Sequence, residues 1–270
     1  MSKRYTISLA FAATLASTGM SLAAGDDNRP AAGVQDNSFL IEEAYNQEAG
    51  VVQHINSWRR QGRDWNYMFT QEWPIRTENH QFSYSVPYIW LRGDGVRSQG
   101  VGDIFLNYRF QALKETSSQP AFAPRASLIL PTGDAGKGTG NDSVGYQFNL
   151  PLSKIVSDRL TLHFNAGHTA FVDVEGHRPR SYNLGGSVVY ALNRTTNLML
   201  ESTIEWNQQV ASGLLERERV VTLSPGIRHA FNLAGDAQLV LGLAMPVTFK
   251  PEKTDYGVLM YLSYEHSFLK

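Results

Sequence analysis

Hydrophobic and polar residues alternate one by one along most of this chain. In QFSYSVPYIWLRG, residues 81–93, an aromatic or aliphatic side chain occupies every second position from Phe82 to Trp90. DIFLNYRFQA, residues 103–112, places an apolar side chain at every even position. Because consecutive side chains of a strand point to opposite faces, a period of two sustained over about ten residues predicts a half-buried β-strand.

The same alternation recurs to the C-terminus, in about twelve segments separated by short polar stretches. The segments are residues 51–60, 64–73, 81–93, 103–112, 121–131, 143–152, 160–167, 182–190, 198–206, 221–227, 239–247 and 258–268. We therefore expect an all-β protein, a single antiparallel up-and-down β-barrel of about twelve strands.

Alternation alone does not tell which face of such a barrel meets water. A soluble barrel hides its apolar face inside, whereas a transmembrane barrel turns that face toward lipid and keeps a polar lumen. Strand length separates the two, because eleven residues tilted by about 45° cover roughly 26 Å, the height of the apolar band of an outer membrane. The pattern therefore favours a transmembrane barrel in the outer membrane of a bacterial cell. An even strand count then puts both termini of the chain in the periplasm.

The first 23 residues are typical of a secretory signal peptide. Lys3 and Arg4 precede a mostly apolar run, and Ser21-Leu22-Ala23 supplies a small-x-small cleavage pattern. We divide the chain into a signal peptide (1–23), a periplasmic N-terminal segment (24–50) and an outer-membrane barrel (51–270).

Composition excludes several other classes of protein. The chain contains no cysteine, which rules out a disulfide framework. Its formal net charge of −1 argues against a nucleic-acid partner. No later stretch is long and apolar enough for a transmembrane helix.

The glycine-rich stretch LPTGDAGKGTGND, residues 130–142, invites comparison with a phosphate-binding loop. Pro131 stands where that motif needs its first glycine, and Gly138 stands where it needs a hydroxyl residue. The alternating segment that follows predicts a strand, although the motif requires a helix. We therefore interpret residues 130–142 as an extracellular loop with glycine turns and expect no nucleotide binding.

Three motifs resemble those of a known family: FLIEEAYNQEAGVVQHI (39–55), GVGD (100–103) and LPTGD (130–134). They are similar to outer-membrane transporters of the family named after the MetA pathway of phenol degradation. The resemblance implies an outer-membrane β-barrel that passes small molecules, often aromatic or apolar compounds. The chain departs from the usual terminal aromatic residue of such barrels, because Leu269 and Lys270 follow Phe268.

Charged residues on the polar face are the candidates for a functional site. They would either line a polar channel and contact the permeant, or pair with one another inside the barrel. On the predicted inner face these are Glu72, Asp103, Arg109, Arg125, Glu201, Glu205, Arg228 and Glu265.

Two of these candidates predict a role for the N-terminal segment. Pairing of adjacent strands across the 112–120 turn places Arg109 opposite Arg125, and facing like charges destabilise a sheet unless an acid lies between them. The acid could come from Glu201, Glu205 or Glu265 on the far wall. It could also come from residues 38–48, which carry Glu42, Glu43 and Glu48. We expect residues 38–48 to fold into the periplasmic mouth as a plug.

Other functions receive less support from the residues. A barrel-embedded outer-membrane lipid hydrolase needs a serine and a histidine on one face, and the pairs His266-Ser267 and His168-Thr169 lie on opposite faces of their strands. A soluble periplasmic β-barrel binding an apolar ligand is the other alternative. We expect no enzymatic activity, no metal and no cofactor. The expected partners are outer-membrane lipid, a small-molecule permeant and the barrel assembly machinery, with the protein as a monomer.

Overall fold

The structure, a computed structural model, describes residues 34, 36–93, 97–211, 213–235 and 237–268. The predicted signal peptide lies outside the described residues. The described part forms these β-segments: β1 (Val51–Gln61), β2 (Asp64–Ile75), β3 (Thr77–Leu91), β4 (Ser98–Val101), β5 (Ile104–Phe110), β6 (Ala121–Phe122), β7 (Arg125–Leu130), β8 (Gly145–Ser157), β9 (Leu160–Phe171), β10 (Arg180–Asn193), β11 (Thr196–Ala211), β12 (Leu214–Asn232), β13 (Gln238–Ala244), β14 (Val247–Phe249) and β15 (Thr254–Ser267).

These segments make a closed antiparallel barrel of twelve strands, as the alternation predicts. Short breaks divide three of the strands, so that β4 continues into β5, β6 into β7 and β13 into β14. The barrel closes where β1 pairs with β15, from Val51 opposite Ser267 to Gln61 opposite Gly257. Both ends of the barrel chain therefore lie at one rim, which we call the terminal end. The opposite rim is the outer end.

Large apolar side chains cover the outside of this barrel. Leu150, Phe164 and Leu200 are 45 %, 47 % and 47 % exposed, whereas Asn165 and Glu201, the next residues along two of these strands, are 4 % and 0 % exposed. An apolar outer face and a polar interior are the arrangement of an outer-membrane barrel. The barrel therefore belongs to the outer membrane, and the soluble alternative is wrong.

One hairpin is longer than its hydrophobic pattern indicates. Residues 208–218 lack clear alternation and look like an outer loop, yet β11 and β12 remain paired as far as Ala211 opposite Leu214. Polar partners such as Gln208 and Arg217 face each other across this extension. Backbone pairing needs no apolar face where both sides of a hairpin stand in water, so the hairpin extends beyond the apolar band.

No helix within the described residues has the length and apolar character needed to cross a membrane.

Candidate functional site

The described residues before the first strand lie inside the barrel, where polar side chains of the inner wall hold them. We call the described residues 34 and 36–50 the N-terminal segment; they contain no helix or strand. Buried amides must still find acceptors, and the barrel wall supplies them. The pairs are Leu40 N to Glu201 Oε1 (2.8 Å), Ile41 N to Glu201 Oε1 (3.1 Å), Glu42 N to Asn165 Oδ1 (2.8 Å), Ala44 N to Ser153 Oγ (2.8 Å), Asn46 N to Gln111 Oε1 (3.0 Å) and Gln47 N to Gln81 Oε1 (2.8 Å).

Glycines in the wall make room for the apolar side chains of the N-terminal segment. A Cβ added to Gly242 would lie 2.4 Å from the Phe39 ring, and one added to Gly226 would lie 2.8 Å from it. At Gly185 an added Cβ would come within 2.4 Å of Ile41 Cδ1. Phe39 also packs against a cluster that includes Val34, Ala230, Val240, Ala244, Leu259 and Tyr261. Phe39 and Ile41 thus occupy spaces that a larger residue at any of these three glycine positions would fill. We call these spaces the glycine sockets.

Glu42 joins the two arginines that face each other across the wall. Arg109 and Arg125 are register partners on β5 and β7. Glu42 Oε1 lies 3.2 Å from Arg109 Nη1, and Glu42 Oε2 lies 2.9 Å from Arg125 Nε. Asn149 Nδ2 donates a further bond to Glu42 Oε2 at 2.6 Å. Burial raises the pKa of the Glu42 carboxyl, but Arg125 and Arg109 outweigh it and hold that pKa below its ordinary value.

A second polar centre, around Asp36, holds the start of the segment. The Asp36 carboxylate accepts hydrogen bonds from Gln53 Nε2 (2.8 Å), the Tyr261 hydroxyl and the Ser263 hydroxyl. Arg228 Nη1 donates to the Asp36 carbonyl oxygen at 2.6 Å. Burial raises the pKa of the Asp36 carboxyl, although Arg228 opposes the shift. Sequence reasoning missed Asp36, because nothing in its neighbourhood in the chain marks it as buried.

The remaining predicted residues lie in different surroundings. Glu72 is buried and accepts a hydrogen bond from Gln81 Nε2 at 2.9 Å. Glu201 receives two amides of the segment, as described above. Glu205 lines a cavity of the lumen. Glu265 stands opposite Gln53 on β1.

Of the other glutamates predicted in the plug, Glu43 donates its backbone amide to Asn37 Oδ1 at 3.3 Å. Its carbonyl oxygen accepts Arg109 Nη1 at 3.2 Å. Glu48 is exposed to solvent at the terminal end. Of the three glutamates, Glu42 is the one that bridges the facing arginines.

Asp103 ties the glycine-rich loop to the inner wall. Its carboxylate accepts bonds from Gly133 N (3.0 Å), Asn141 N (2.9 Å) and Asn141 Nδ2 (2.9 Å). Within the loop, Ala135–Lys137 forms one turn of 3-10 helix, and Lys137 Nζ lies 3.0 Å from Asp134 Oδ2. Strand β8 follows, so the loop lacks the following helix of a phosphate-binding motif.

Two cavities lie beside residues 40–42. The first, of about 330 Å³, is bounded by β7–β11 and lined largely by amide and hydroxyl side chains. We call it the amide cavity; its lining includes Gln147, Asn149, Asn165, Asn183, Thr203, Glu205 and Asn207. The second, of about 360 Å³, lies toward β1, β2, β3 and β5. We call it the apolar cavity, because Phe39, Ile55, Met68 and Phe105 line it, although its lining also includes hydroxyl side chains and the polar residues Glu42, Glu72, Asn107, Arg125 and Gln147.

One serine and one histidine do meet, across β8 and β9. Ser153 Oγ lies 2.7 Å from His163 Nδ1, a cross-strand contact that inspection of neighbours in the sequence missed. Both side chains are buried, and the Ser153 oxygen already accepts the Ala44 amide. The pair therefore anchors the N-terminal segment and offers no open face to a substrate.

Within the described part of the chain, no group of three or more histidine, aspartate or glutamate residues is placed to hold a metal ion.

Comparison with known proteins extends the description. Residues 28–252 match the model of the family described as "Putative MetA-pathway of phenol degradation". None of the curated proteins matches the chain. The COG4313 outer membrane channel from Pseudomonas putida F1 is similar in structure, with a TM-score of 0.66 and 13 % identity over 83 % of this chain and 98 % of that chain. The KdgM porin gives a TM-score of 0.44 and 13 % identity over 80 % of this chain and 99 % of that chain. The first of these similarities shows a shared fold.

Proposed function

Because the chain belongs to the family described as "Putative MetA-pathway of phenol degradation", we propose that it is a passive outer-membrane channel for small molecules. The observation that carries the proposal is the polar lumen, which holds two cavities of about 330 and 360 Å³ beside residues 40–42. A closed barrel with a polar interior gives polar or charged solutes a route that lipid denies them.

In this proposal the terminal end faces the periplasm, since both ends of the barrel chain lie there. Outer-membrane lipid surrounds the apolar face, and the barrel assembly machinery inserts the protein. One chain completes the barrel through the β1–β15 pairing, which supports a monomeric channel.

The N-terminal segment acts as a plug that narrows the lumen from the periplasmic side. Support comes from the wall itself, which supplies acceptors for the segment's amides and glycine sockets for Phe39 and Ile41. A segment held at so many points sets the width of the pathway. Charged residues of the inner face then divide between holding the plug, as Arg109, Arg125 and Glu201 do, and contacting the permeant.

Aromatic or apolar compounds are the finer proposal for the permeant. The family description supports it, and so does the apolar cavity, where Phe105 and Met68 offer surface for an aromatic ring.

Planar-bilayer recording of the purified protein tests the channel, and liposome swelling with small aromatic compounds, sugars and amino acids tests the permeant. We expect single-channel currents, and swelling that depends on the solute. A correctly folded barrel that gives neither currents nor swelling would refute the channel.

Deletion of residues 38–48 tests the plug, and single-channel conductance should rise in that variant. A change in electrophoretic mobility on boiling shows whether the shortened chain still folds as a barrel. Unchanged conductance in a folded deletion variant would refute the plug.

A further inference from the structure

Strands β10, β11 and β12 carry a row of outward side chains near the outer end of the barrel. Trp206 on β11 is opposite Tyr182 on β10 and opposite Arg219 on β12. Tyr182 and Trp206 are 50 % and 41 % exposed on the outside of the barrel. Residues directly opposite each other in an antiparallel pair share a face, so Arg219 points outward beside Trp206.

A second outward row lies one step closer to the outer rim. Arg217 is opposite Gln208 on β11, and Gln208 Oε1 accepts the Arg180 backbone amide at 3.1 Å. Arg180 and Arg217 are exposed, as is Arg219. We call these three arginines the arginine patch. Because neighbouring strands lie about 4.8 Å apart, three long side chains on β10 and β12 can reach one anion between them.

The arginine patch begins where the apolar part of the outer face ends. The large outward side chains of β11 are apolar as far as Trp206, and the next outward residue is Gln208. On β12 the outward residues are apolar from Ile227 to Val221, and the two arginines follow. Aromatic residues of an outer-membrane barrel lie at the interfaces between hydrocarbon and headgroups. The arginine patch therefore lies at the level of the lipid headgroups.

The acidic residues of the same hairpin face the other way. Glu216 and Glu218 alternate with the two arginines of β12, so they lie on the opposite face of the strand. Glu218 Oε1 lies 3.9 Å from Lys250 Nζ on that face. Among the described residues, no ion pair involves an arginine of the patch. The face toward lipid is thus positively charged, and its cations are available to an anion from outside the chain.

We propose that the arginine patch binds the phosphate headgroup of a lipid in the outer leaflet of the outer membrane. Guanidinium groups donate paired hydrogen bonds to phosphate oxygens. The acyl chains of the same lipid lie along the apolar face beside Tyr182 and Trp206. A soluble phosphate would use the arginines alone, whereas an amphiphile uses both adjoining surfaces. This interaction goes beyond the proposed channel function, and only its placement in the outer leaflet rests on the proposed orientation of the barrel.

Native mass spectrometry of the purified protein in detergent, titrated with diphosphoryl lipid A, tests the arginine patch. We expect binding about tenfold or more weaker in the triple variant Arg180→Gln, Arg217→Gln, Arg219→Gln, because its charge-assisted hydrogen bonds are lost. The matched control, Arg63→Gln, Arg92→Gln, Arg97→Gln, removes the same charge from the β1–β2 and β3–β4 connections at the outer end. It should bind lipid A as the parent does. A change in electrophoretic mobility on boiling shows that both variants fold.

Equal weakening in the two triple variants would mean a general attraction to a positive rim and would overturn the site, as would unchanged binding in the patch variant. Inorganic phosphate, added as a competitor, should displace lipid A poorly because it has no acyl chains. Displacement by an equimolar amount of phosphate would assign the patch to a soluble anion and overturn the lipid. Binding is read without conduction. A conducting protein that binds no lipid A would therefore contradict this inference alone, whereas lipid A binding by a protein that fails to conduct would contradict the channel alone.

Discussion

Arg109 and Arg125 are register partners across β5 and β7, and both guanidinium groups bind the carboxylate of Glu42. Removing that carboxylate leaves two facing cations in a buried site, and breaking such a group costs about 3–5 kcal/mol. We expect Glu42→Ala to lower the free energy of unfolding by an amount of this order and to expose residues 36–50 to protease. Urea titration and limited proteolysis measure the two effects. Glu252→Ala, an exposed control between β14 and β15, should change neither. A Glu42→Ala protein as stable as the parent would contradict the role of the bridge.

The glycine socket for Phe39 gives a prediction about steric fit. A Cβ at residue 242 would lie 2.4 Å from the Phe39 ring, so Gly242→Ala should displace Phe39 and raise single-channel conductance. Phe39→Ala should restore room in the double variant and bring its conductance closer to that of Phe39→Ala alone. Gly186→Ala is the control, because its nearest neighbour would be the His163 carbonyl oxygen at 3.6 Å. Equal conductance in the Gly186 and Gly242 variants would show that the socket does not position the plug.

Two adjacent residues of β10 test which face of the barrel wall points toward lipid. Leu184 is 41 % exposed on the outer face, and Asn183 lines the amide cavity. An arginine facing lipid near the middle of the membrane costs about 2–4 kcal/mol, whereas a lumen-facing arginine stays in a polar environment. Leu184→Arg should therefore reduce the folding free energy in lipid vesicles far more than Asn183→Arg. A reversed order would mean that the outward assignment is wrong.

Burial of Glu43 predicts a pH dependence of the plug. Burial raises the pKa of this carboxyl from 4.5 to about 7, with Arg228 opposing the shift and Asp36 adding to it; Arg109 and Glu72 contribute smaller effects of opposite sign. Since the pKa of the Glu43 carboxyl is higher in the folded protein than in the unfolded one, the N-terminal segment binds the barrel more stably when Glu43 is protonated. Its stability should therefore fall as pH rises from about 4.5 to 7 and then level off.

Protease accessibility of residues 36–50, followed between pH 5 and pH 8, measures that dependence. Glu43→Gln should remain protected at pH 8 and should lose the change between the two pH values. An equally steep pH dependence in Glu43→Gln would assign the effect to another group.

The hydrogen bonds of Asp103 give a prediction about how easily protease cleaves the glycine-rich loop, residues 130–142. Because its carboxylate accepts three bonds from Gly133 and Asn141, Asp103→Ala should free the loop and speed trypsin cleavage after Lys137 on intact cells. A Lys137→Gln companion should lose that cleavage, which identifies the site. Cleavage at the parental rate in Asp103→Ala would show that other contacts hold the loop.

The sequence by itself determined the barrel. Strand positions follow from the alternation of neighbouring residues, which is a local property with a period of two. The outward direction of the apolar face follows from the length of the alternating segments, which is also a local property. Local order also placed Arg109 opposite Arg125, since the two adjacent strands pair across one turn and need an acid nearby.

Only the tertiary structure decided which acid that is and how the N-terminal segment is held. The segment contains no helix or strand, so no periodicity reports its path, and its partners lie as far away in the chain as Glu201 is from Leu40. Asp36, the glycine sockets and the Ser153–His163 contact depend on which strands become neighbours and on where an irregular segment crosses them. Such contacts join residues distant in sequence, and no local pattern of residue types records them.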